Sequence, residues 1–307
     1  MVRQPMAFFK GELVPLKEAN VNITTHAFNY GTAVFEGLRA YWNADHEELY
    51  IVQAEPHFAR LVRSARILRI DVPFTAGELV SHTVSLLRAN AFREDVYIRP
   101  LAYKSDAAIK VGLSGIASAF GMFAVPMGDY VPTKGINVAV SSWRRISDNM
   151  IPSRAKVSGA YVNAALSSDQ AKSDGYDEAI MLGDDGQVSE ASSSNLFMVR
   201  QGTLITPPIT ADILEGITRQ VVMELAEELG IPQVVRPIDR TELYVADELF
   251  LCGTGVQLAG IISVDRRPIA DGRTGPITQT IQQVYFDLVR GRSDRHRHFV
   301  TPVYEGP

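Results

Sequence analysis

With 307 residues the chain is longer than an ordinary single domain, and its length favours two compact units. An apolar fraction of 46% supports a large core, and a net charge of −5 argues against nucleic acid as a partner. The single cysteine excludes an internal disulfide and a cysteine-rich metal site.

The first half of the chain has the pattern of a mixed α/β unit. It begins without an apolar leader, and no segment of the chain is long and apolar enough for a membrane-spanning helix. A soluble cytoplasmic protein that binds no membrane is therefore expected. A hairpin is predicted at Lys10-Gly11, paired strands at 34–42 and 49–53, and further strands at 96–103 and 117–125.

Two helices are predicted between these strands. Pro56 opens the first, whose buried face is formed by residues at helical spacing: Phe58, Leu61, Val62, Ala65 and Leu68. Thr75 begins the second, and Glu78 completes a capping-box pattern. The first helix also carries a regularly spaced row, Arg60, Arg63, Arg66 and Arg69. Such a row is typical of a solvated face, and the pattern does not choose which arginine could turn inward to bind a phosphate.

Residues 126–135 are the best candidate for a linker, because prolines and glycines bracket a polar stretch. We therefore predict a small α/β domain at 1–125 and a larger domain at 136–307. The elements predicted in the larger domain are strands at 136–142, 179–182, 195–199 and 248–252, helices at 158–172, 217–229 and 277–289, and turns at 184–186 and 201–202. Strands and helices do not alternate strictly, which favours an α+β fold over a doubly wound parallel sheet.

Three segments of the larger domain carry residues that suit one cofactor, pyridoxal phosphate (PLP). Lys156 lies among small or apolar neighbours, and an amine attacks a carbonyl only when a partly desolvated site leaves it deprotonated. Glu190 can hold the proton of the cofactor's ring nitrogen, and Ser192–Asn195 can donate hydrogen bonds. Leu214–Thr218 lead into an amphipathic helix whose first amides can bind the phosphate, and Gly253-Thr254-Gly255 can complete that cup.

Each segment also has an ordinary interpretation: a solvated surface lysine, a serine-rich loop and a simple helix cap. Their occurrence together, in chain order, favours the cofactor site. Other chemistries are disfavoured, because the chain has no Gly-x-Ser-x-Gly, Walker or His-Glu-x-x-His motif. No metal is expected, since His296 and His298 are only two ligands in a polar tail, and Cys252 in an apolar run is predicted to be a buried, inert thiol.

Four motifs occur in order along the chain, and together they are long enough to make chance similarity negligible. They are Thr25–Arg39, His57–Leu61, Tyr97–Leu101 and Gly253-Thr254. Through them the chain resembles the branched-chain amino acid aminotransferases, PLP enzymes of fold type IV, over nearly its whole length. The resemblance implies a small α/β domain followed by a larger β-rich one, and a homodimer or higher homo-oligomer with active sites at the subunit interface. It also implies amino transfer between leucine, isoleucine or valine and 2-oxoglutarate, so amino acids, 2-oxo acids and a second copy of the chain are the expected partners.

The resemblance further assigns roles to residues. It makes Lys156 the lysine that binds the cofactor covalently and moves the proton, Glu190 the partner of the ring nitrogen, and Tyr161 a partner of the ring hydroxyl. The candidate cofactor-binding set is Arg60, Lys156, Tyr161, Glu190, Ser193, Ser194, Asn195, Leu214, Gly216, Ile217, Thr218, Gly253 and Thr254, with Arg60 singled out for the phosphate. The candidate substrate-binding set is Tyr30, Phe35, Gly37, Tyr97, Arg99, Ile109, Val111, Met127, Tyr130, Thr254, Gly255 and Val256, of which Tyr30, Ile109 and Val111 are implied to come from the partner subunit.

Departures from the family pattern leave the substrate range open. Residues 253–257 read Gly-Thr-Gly-Val-Gln where familiar members have Gly-Thr-Ala-Ala-Glu, which loosens the turn at Gly255 and adds bulk at Val256. Met127 replaces a frequent tryptophan, and Ala191-Ser192-Ser193 replaces a Gly-Ala-Gly run. The alternatives are a broadened transaminase acting on (R)-amines or D-amino acids, an aminodeoxychorismate lyase, and a non-catalytic binder that kept the fold. Tyr97-x-Arg99 together with Tyr30 favours the branched-chain interpretation over a D-amino acid aminotransferase.

Overall fold

A computed structural model describes residues 4–128 and 135–304. These residues form 17 strands: β1 (Met6–Phe9), β2 (Glu12–Pro15), β3 (Ala33–Phe35), β4 (Leu38–Asn43), β5 (Glu48–Val52), β6 (Val96–Lys104), β7 (Ser118–Pro126), β8 (Ile136–Arg144), β9 (Glu178–Leu182), β10 (Val188–Ala191), β11 (Asn195–Arg200), β12 (Thr203–Thr206), β13 (Gln233–Val235), β14 (Glu248–Gly253), β15 (Gln257–Val264), β16 (Arg267–Pro268) and β17 (Val300–Pro302). The same residues form six α-helices: α1 (His26–Tyr30), α2 (Ala54–Ile67), α3 (Ala76–Asn90), α4 (Tyr161–Ser173), α5 (Ile217–Glu228) and α6 (Pro276–Val289).

The chain divides into two compact units. Among the described residues, the first unit comprises 4–128, 155–159 and 287–304, and the second comprises 135–154 and 160–286. The predicted domain limits differ from this division in two places, because residues 155–159 and the C-terminal end both belong to the first unit. There β17 pairs antiparallel with β5, and the buried Glu48 carboxylate accepts from the Val303 and Tyr304 amides (2.9 and 2.8 Å). These long-range bonds leave no local sequence pattern.

The first unit is built on an antiparallel sheet in the order β17-β5-β4-β6-β7-β1-β2, with β3 paired to β6. The predicted hairpin at Lys10-Gly11 is confirmed, because both residues have positive φ and β1 pairs with β2. The predicted strand at 34–42 is wrong in one respect: it is interrupted at Glu36-Gly37, between β3 and β4. That interruption allows the Glu36 carboxylate to turn toward α2.

Helices α2 and α3 pack on this sheet. Helix α2 begins two residues before Pro56, which therefore lies in the first turn, where its missing N–H is tolerated. The predicted capping box of α3 is confirmed, since Thr75 and Glu78 bond reciprocally. Of the predicted arginine row, Arg60, Arg63 and Arg66 lie on α2 and Arg69 follows its end; only Arg60 is buried, whereas the other three are exposed. The structure thus distinguishes an inward arginine that helical periodicity could not identify.

The second unit is built on a mixed sheet in the order β10-β9-β8-β15-β14-β11-β12-β13, with β16 paired to β15. Strand β8 runs parallel to both β9 and β15, and the stacked rings of Phe197 and Phe250 (5.1 Å) lie on the central strands β11 and β14. The sequence interpretation missed β10, β13 and β15. Strand β15 carries Gly260, a residue that weakens strand propensity, but a side chain there would overlap Thr274.

The helices of the second unit begin and end close to their predicted limits. Helix α4 is preceded by a short 3₁₀ turn, and Gly230, with positive φ, follows the end of α5 as predicted. None of the helices in the described ranges combines the length and hydropathy needed to cross a bilayer. The predicted α+β class is confirmed.

Candidate active site

In the first unit, three polar side chains are buried together where β3 gives way to β4; we call them the Glu36 cluster. The Glu36 carboxylate accepts hydrogen bonds from Arg60 Nε (2.6 Å) and Nη2 (2.8 Å) and from His57 Nδ1 (2.8 Å). All three side chains have 5% exposure or less. The two α2 residues lie one helical turn apart, so they reach the same carboxylate.

The charges of the Glu36 cluster follow from its burial and its contacts. Burial alone raises the pKa of Glu36, but the Arg60 charge and the hydrogen bonds from His57 and Arg60 lower the pKa well below its usual range. Burial lowers the pKa of His57, and this outweighs the opposing effect of Glu36. The cluster is therefore an ionised glutamate and arginine with a neutral histidine.

Lys156 lies beside this cluster in the first unit. Its carbonyl accepts from the Phe35 amide (3.0 Å), its amide donates to Ser64 Oγ (3.3 Å), and Val157 forms a β-bridge with Val34. The Lys156 backbone is thus bonded to β3 on one side and to α2 on the other. The Lys156 side chain is half-buried, and Nζ lies 5.0 Å from the centroid of the Phe35 ring.

The same phenylalanine ring contacts a second cation. The Arg99 guanidinium lies 4.4 Å from the Phe35 centroid and donates to Tyr97 Oη (2.8 Å). A side chain at Gly37 would overlap that hydroxyl, so glycine is needed for Tyr97 to take this position. Phe35, Tyr97, Arg99 and Lys156, which we call the Phe35 cluster, thus combine an apolar ring, a hydroxyl, a permanent cation and an amine.

In the second unit, Glu190 is fixed by donors from three segments; together they form the Glu190 cluster. Its Oε1 contacts Arg145 Nη2 (2.7 Å), and its Oε2 accepts from Asn195 Nδ2 (2.8 Å) and the Leu214 amide (3.2 Å). The Glu190 side chain is 5% exposed and that of Arg145 is 14% exposed. The carboxylate is therefore held by one charged and two neutral donors, in a setting where an unpaired charge would be costly.

The first turn of α5 adjoins the Glu190 cluster. The cap residue Gly216 makes no side-chain cap bond, and α5 has 12 residues, enough for a developed helix dipole. A side chain at Gly216 would overlap Asn195 Oδ1, so glycine allows the loop to pass Asn195. Ser194 Oγ is buried without a hydrogen-bond partner, and its Cβ lies against Gly253. A buried unsatisfied hydroxyl and the first amides of a helix are both groups that can bind a ligand.

The remaining predicted residues of the second unit lie on one turn and one helix. Thr254, Gly255 and Val256 connect β14 to β15 and are half-buried; Val256 packs partly on the core, and a methyl group at Gly255 would meet nothing within 4 Å. Tyr161 is the first residue of α4 and is half-buried. Ser193, the least buried member of the serine run, is exposed.

Among the described residues of the first unit, four predicted substrate residues lie outside the Phe35 cluster. Tyr30, Ile109 and Val111 are exposed on the first unit, at 38%, 75% and 79%. The Met127 carbonyl accepts from the buried Arg39 (2.7 Å), near the end of the first described range. Tyr130 lies outside the described residues.

Sequence reasoning did not assign functional roles to Glu36, Ser64 or Arg145. Glu36 lies inside the apolar run from Val34 to Leu38, and this position was the available signal that its carboxylate is buried with a partner. Arg145 follows another arginine at the end of β8, and no spacing distinguishes the two.

Comparisons with known proteins add independent findings. The sequence model of the family described as Amino-transferase class IV matches residues 33–264. A probable branched-chain-amino-acid aminotransferase of Aquifex aeolicus is 47% identical over 301 residues, covering 97% of each chain. The branched-chain aminotransferase of Thermoproteus uzoniensis, solved with norvaline, has a TM-score of 0.95 at 44% identity and covers 98% of this chain and 100% of its own. The branched-chain amino acid aminotransferase of T.th., solved with N-(5'-phosphopyridoxyl)-L-glutamate, has a TM-score of 0.92 at 36% identity and covers 98% of this chain and 99% of its own.

Proposed function

The chain belongs to the class IV aminotransferases, and from this membership we propose that it transfers the amino group of leucine, isoleucine or valine to 2-oxoglutarate with PLP as cofactor. The names of its relatives support the branched-chain substrates. The norvaline and phosphopyridoxyl-glutamate of the two solved relatives support an aliphatic donor, a glutamate product and the cofactor.

The Phe35 cluster is the observation that carries this proposal. The Phe35 ring lies near both the Lys156 amine and the Arg99 guanidinium, at 5.0 and 4.4 Å from its centroid. A transaminase of this kind must accept an aliphatic side chain and, in the other half-reaction, the second carboxylate of glutamate. Phe35 provides an apolar wall for the first, and Arg99 with Tyr97 provides donors for the second.

The residues present fit PLP by their chemistry. Ser194, Asn195 and the first amides of α5 are donors suited to a phosphate, Arg60 is a buried cation, and Glu190 is a carboxylate suited to a ring nitrogen. We assign the phosphate to Arg60, Gly216–Thr218 and the Gly253-Thr254 turn, and the ring hydroxyl to Tyr161. When bound, PLP supplies an electron sink for the charge left at the substrate Cα after proton loss.

The chain's own residues then have defined tasks. Lys156 Nζ removes the proton from the amino acid Cα and returns a proton to Cα of the acceptor in the reverse half-reaction. Glu190, held by Arg145 and Asn195, keeps the ring-nitrogen proton in place. Phe35 covers the lysine amine with an apolar ring, which limits the access of water to it.

A panel of donors tests the proposed specificity. Leucine and valine should each yield a 2-oxo acid and L-glutamate from 2-oxoglutarate, whereas D-alanine and (R)-1-phenylethylamine should react with kcat/KM at least about 100-fold lower. The measurement is chiral chromatography of glutamate together with 2-oxo acid formation. Equal rates with D-alanine or the amine would support the broadened enzyme, and consumption of a chorismate-derived substrate without glutamate would support the lyase.

We further propose a homodimer in which Tyr30, Ile109 and Val111 serve the partner's active site. Apolar side chains are exposed on two segments. His26 joins these segments, because its Nε2 donates to the Lys110 carbonyl and its Nδ1 hydrogen-bonds with Thr32 Oγ1 (2.7 Å each). An ordered, exposed apolar patch supports a protein interface.

Ile109→Glu should shift the protein from dimer to monomer in sedimentation experiments and lower activity. Ile209→Glu, at a 45% exposed position of the second unit, is the matched control, and an unchanged Ile109→Glu dimer would refute the interface.

We propose a cytoplasmic location. The lone Cys252 is fully buried, and burial raises the pKa of its thiol, so the fold neither uses nor requires an oxidising compartment. Cell fractionation measures this directly, and recovery of the protein with secreted or membrane fractions would contradict it.

A further inference from the structure

Arg145 belongs to the Glu190 cluster, but the sequence did not predict it as a site residue. It follows the last residue of β8, and its amide donates to the Leu182 carbonyl (2.9 Å), which fixes its backbone at the end of β9. Its side chain, 14% exposed, reaches Glu190 Oε1 with Nη2 (2.7 Å) and the Asp212 carbonyl with Nε (3.2 Å). One guanidinium therefore ties Glu190 to the segment that leads into α5.

We propose that Arg145 is a positioning residue that keeps Glu190 ionised and oriented toward the ring nitrogen of PLP. The inference rests on the proposed function and deepens it. A buried carboxylate without a cation tends to take up a proton, and a protonated carboxyl group no longer stabilises a positive charge on a ring nitrogen. The Arg145 guanidinium places a positive charge 2.7 Å from Glu190 Oε1, and a cation at that distance favours the ionised carboxylate.

Two other titratable groups act on Glu190 electrostatically, and neither replaces Arg145. Arg219 interacts with Glu190 through space, but its guanidinium donates to Thr206 Oγ1 and the Pro207 carbonyl (3.1 Å each). The Cys252 thiol is neutral, because burial raises its pKa. Arg145 therefore makes a direct, charged contact with one oxygen, while Asn195 and the Leu214 amide fix the other oxygen without adding charge.

The second contact of Arg145 gives it a further positional effect. Asp212 has a positive φ of 56°, and its carboxylate accepts from the Asp148 amide (2.9 Å) while its carbonyl accepts from Arg145. Asp212 is two residues before Leu214, whose amide binds Glu190. Loss of the guanidinium thus removes one donor to Glu190 directly and loosens the loop that presents another.

The test uses holoenzyme loaded with PLP carrying ¹⁵N at the ring nitrogen. In Arg145→Gln, the ¹⁵N chemical shift should move from the protonated toward the neutral pyridine value, and kcat for leucine should fall by about 10- to 100-fold, the range seen when a supporting residue behind a functional group is lost. Arg145→Lys should keep the protonated shift and recover part of kcat, because it keeps the charge but not the fork. Arg145→Gln combined with Glu190→Gln should be no slower than Glu190→Gln alone.

The control is Arg200→Gln, which removes an arginine from a more exposed pair with Glu242 (2.9 Å) in the same unit and should change neither reading. An unchanged ¹⁵N shift in Arg145→Gln, with kcat near that of the wild type, overturns the proposal. If Arg145→Gln does not fold, Arg145→Lys decides the matter, since loss of the protonated shift in that charged variant also overturns it. Failure of the proposed function is distinct: wild-type protein would then bind no labelled cofactor or form no glutamate.

Discussion

Replacement of Lys156 by alanine will abolish transamination of leucine, with kcat lowered by about 10⁴-fold or more. The amine that attacks the cofactor and moves the Cα proton is lost. Of the three side chains that remain in the Phe35 cluster, only that of Arg99 contains nitrogen, and a guanidinium is too weak a base to replace the amine. PLP should still bind through phosphate contacts, but without covalent attachment. The visible absorbance of the attached cofactor should therefore disappear, as measured in dialysed protein.

Trapping chemistry gives an independent measure of the same residue. Borohydride reduction of wild-type holoenzyme should fix the cofactor mass on the peptide that contains Lys156, and the Lys156→Ala protein should carry none. Lys172→Ala, at an exposed position in the last turn of α4, is the matched control and should behave as wild type. Cofactor mass on a different lysine, or turnover retained in Lys156→Ala, would remove Lys156 from the mechanism.

Local signals were sufficient for much of the fold. The Thr75 capping box, the Lys10-Gly11 hairpin and the Gly230 helix end involve residues close in sequence, so their patterns are complete within a few positions. The glycine-led start of α5 was predicted for the same reason. Elements that depend on remote partners were missed: β17 pairs with β5 across most of the chain.

The same contrast between local signals and remote contacts holds for the candidate site. Resemblance singled out Arg60, and the structure independently buries it while leaving Arg63, Arg66 and Arg69 exposed. Helical spacing alone could not do this, because only the contact with Glu36 identifies the inward member of the row. Arg145 could not be predicted either, since its partner Glu190 and its second contact Asp212 lie on distant segments.

The Glu36 cluster shows how such a contact supports a site without touching substrate. Arg60 is a buried cation, and a buried cation without a counter-ion would be destabilising and poorly oriented. Glu36 accepts from both its Nε and Nη2, a two-point contact that fixes the plane of the guanidinium. The orientation assigned to Arg60 for phosphate binding therefore depends on Glu36, which lies on another segment, between β3 and β4.

Glu36→Gln should lower the free energy of unfolding at pH 7 by about 3–5 kcal/mol, the range for breaking a buried ion pair, and should weaken PLP binding to the apoprotein. The amide keeps the shape of the side chain but removes the negative charge that contacts Arg60. Urea unfolding and PLP titration measure the two effects. Glu55→Gln, at an exposed position in the first turn of α2, is the control and should change neither.

The stability gap between wild type and Glu36→Gln should also depend on pH in a defined direction. The pKa of Glu36 is lowered in the folded protein, mainly because Arg60 and His57 outweigh the effect of burial, so its contribution is fully present above the unfolded-chain pKa of about 4.3. Below that value the unfolded wild type takes up a proton that the folded protein resists, and the gap shrinks as pH falls toward the folded pKa. The pKa of His57 is also lowered in the folded protein, so the unfolded chain takes up a proton on this residue first. The folded protein therefore loses stability as pH falls below about 6.5, which is a higher pH than for Glu36. Because His57 is present in both proteins, its effect largely cancels in the difference, and a gap that stays constant from about pH 5 to about pH 3 would mean that Glu36 is not ionised beside Arg60.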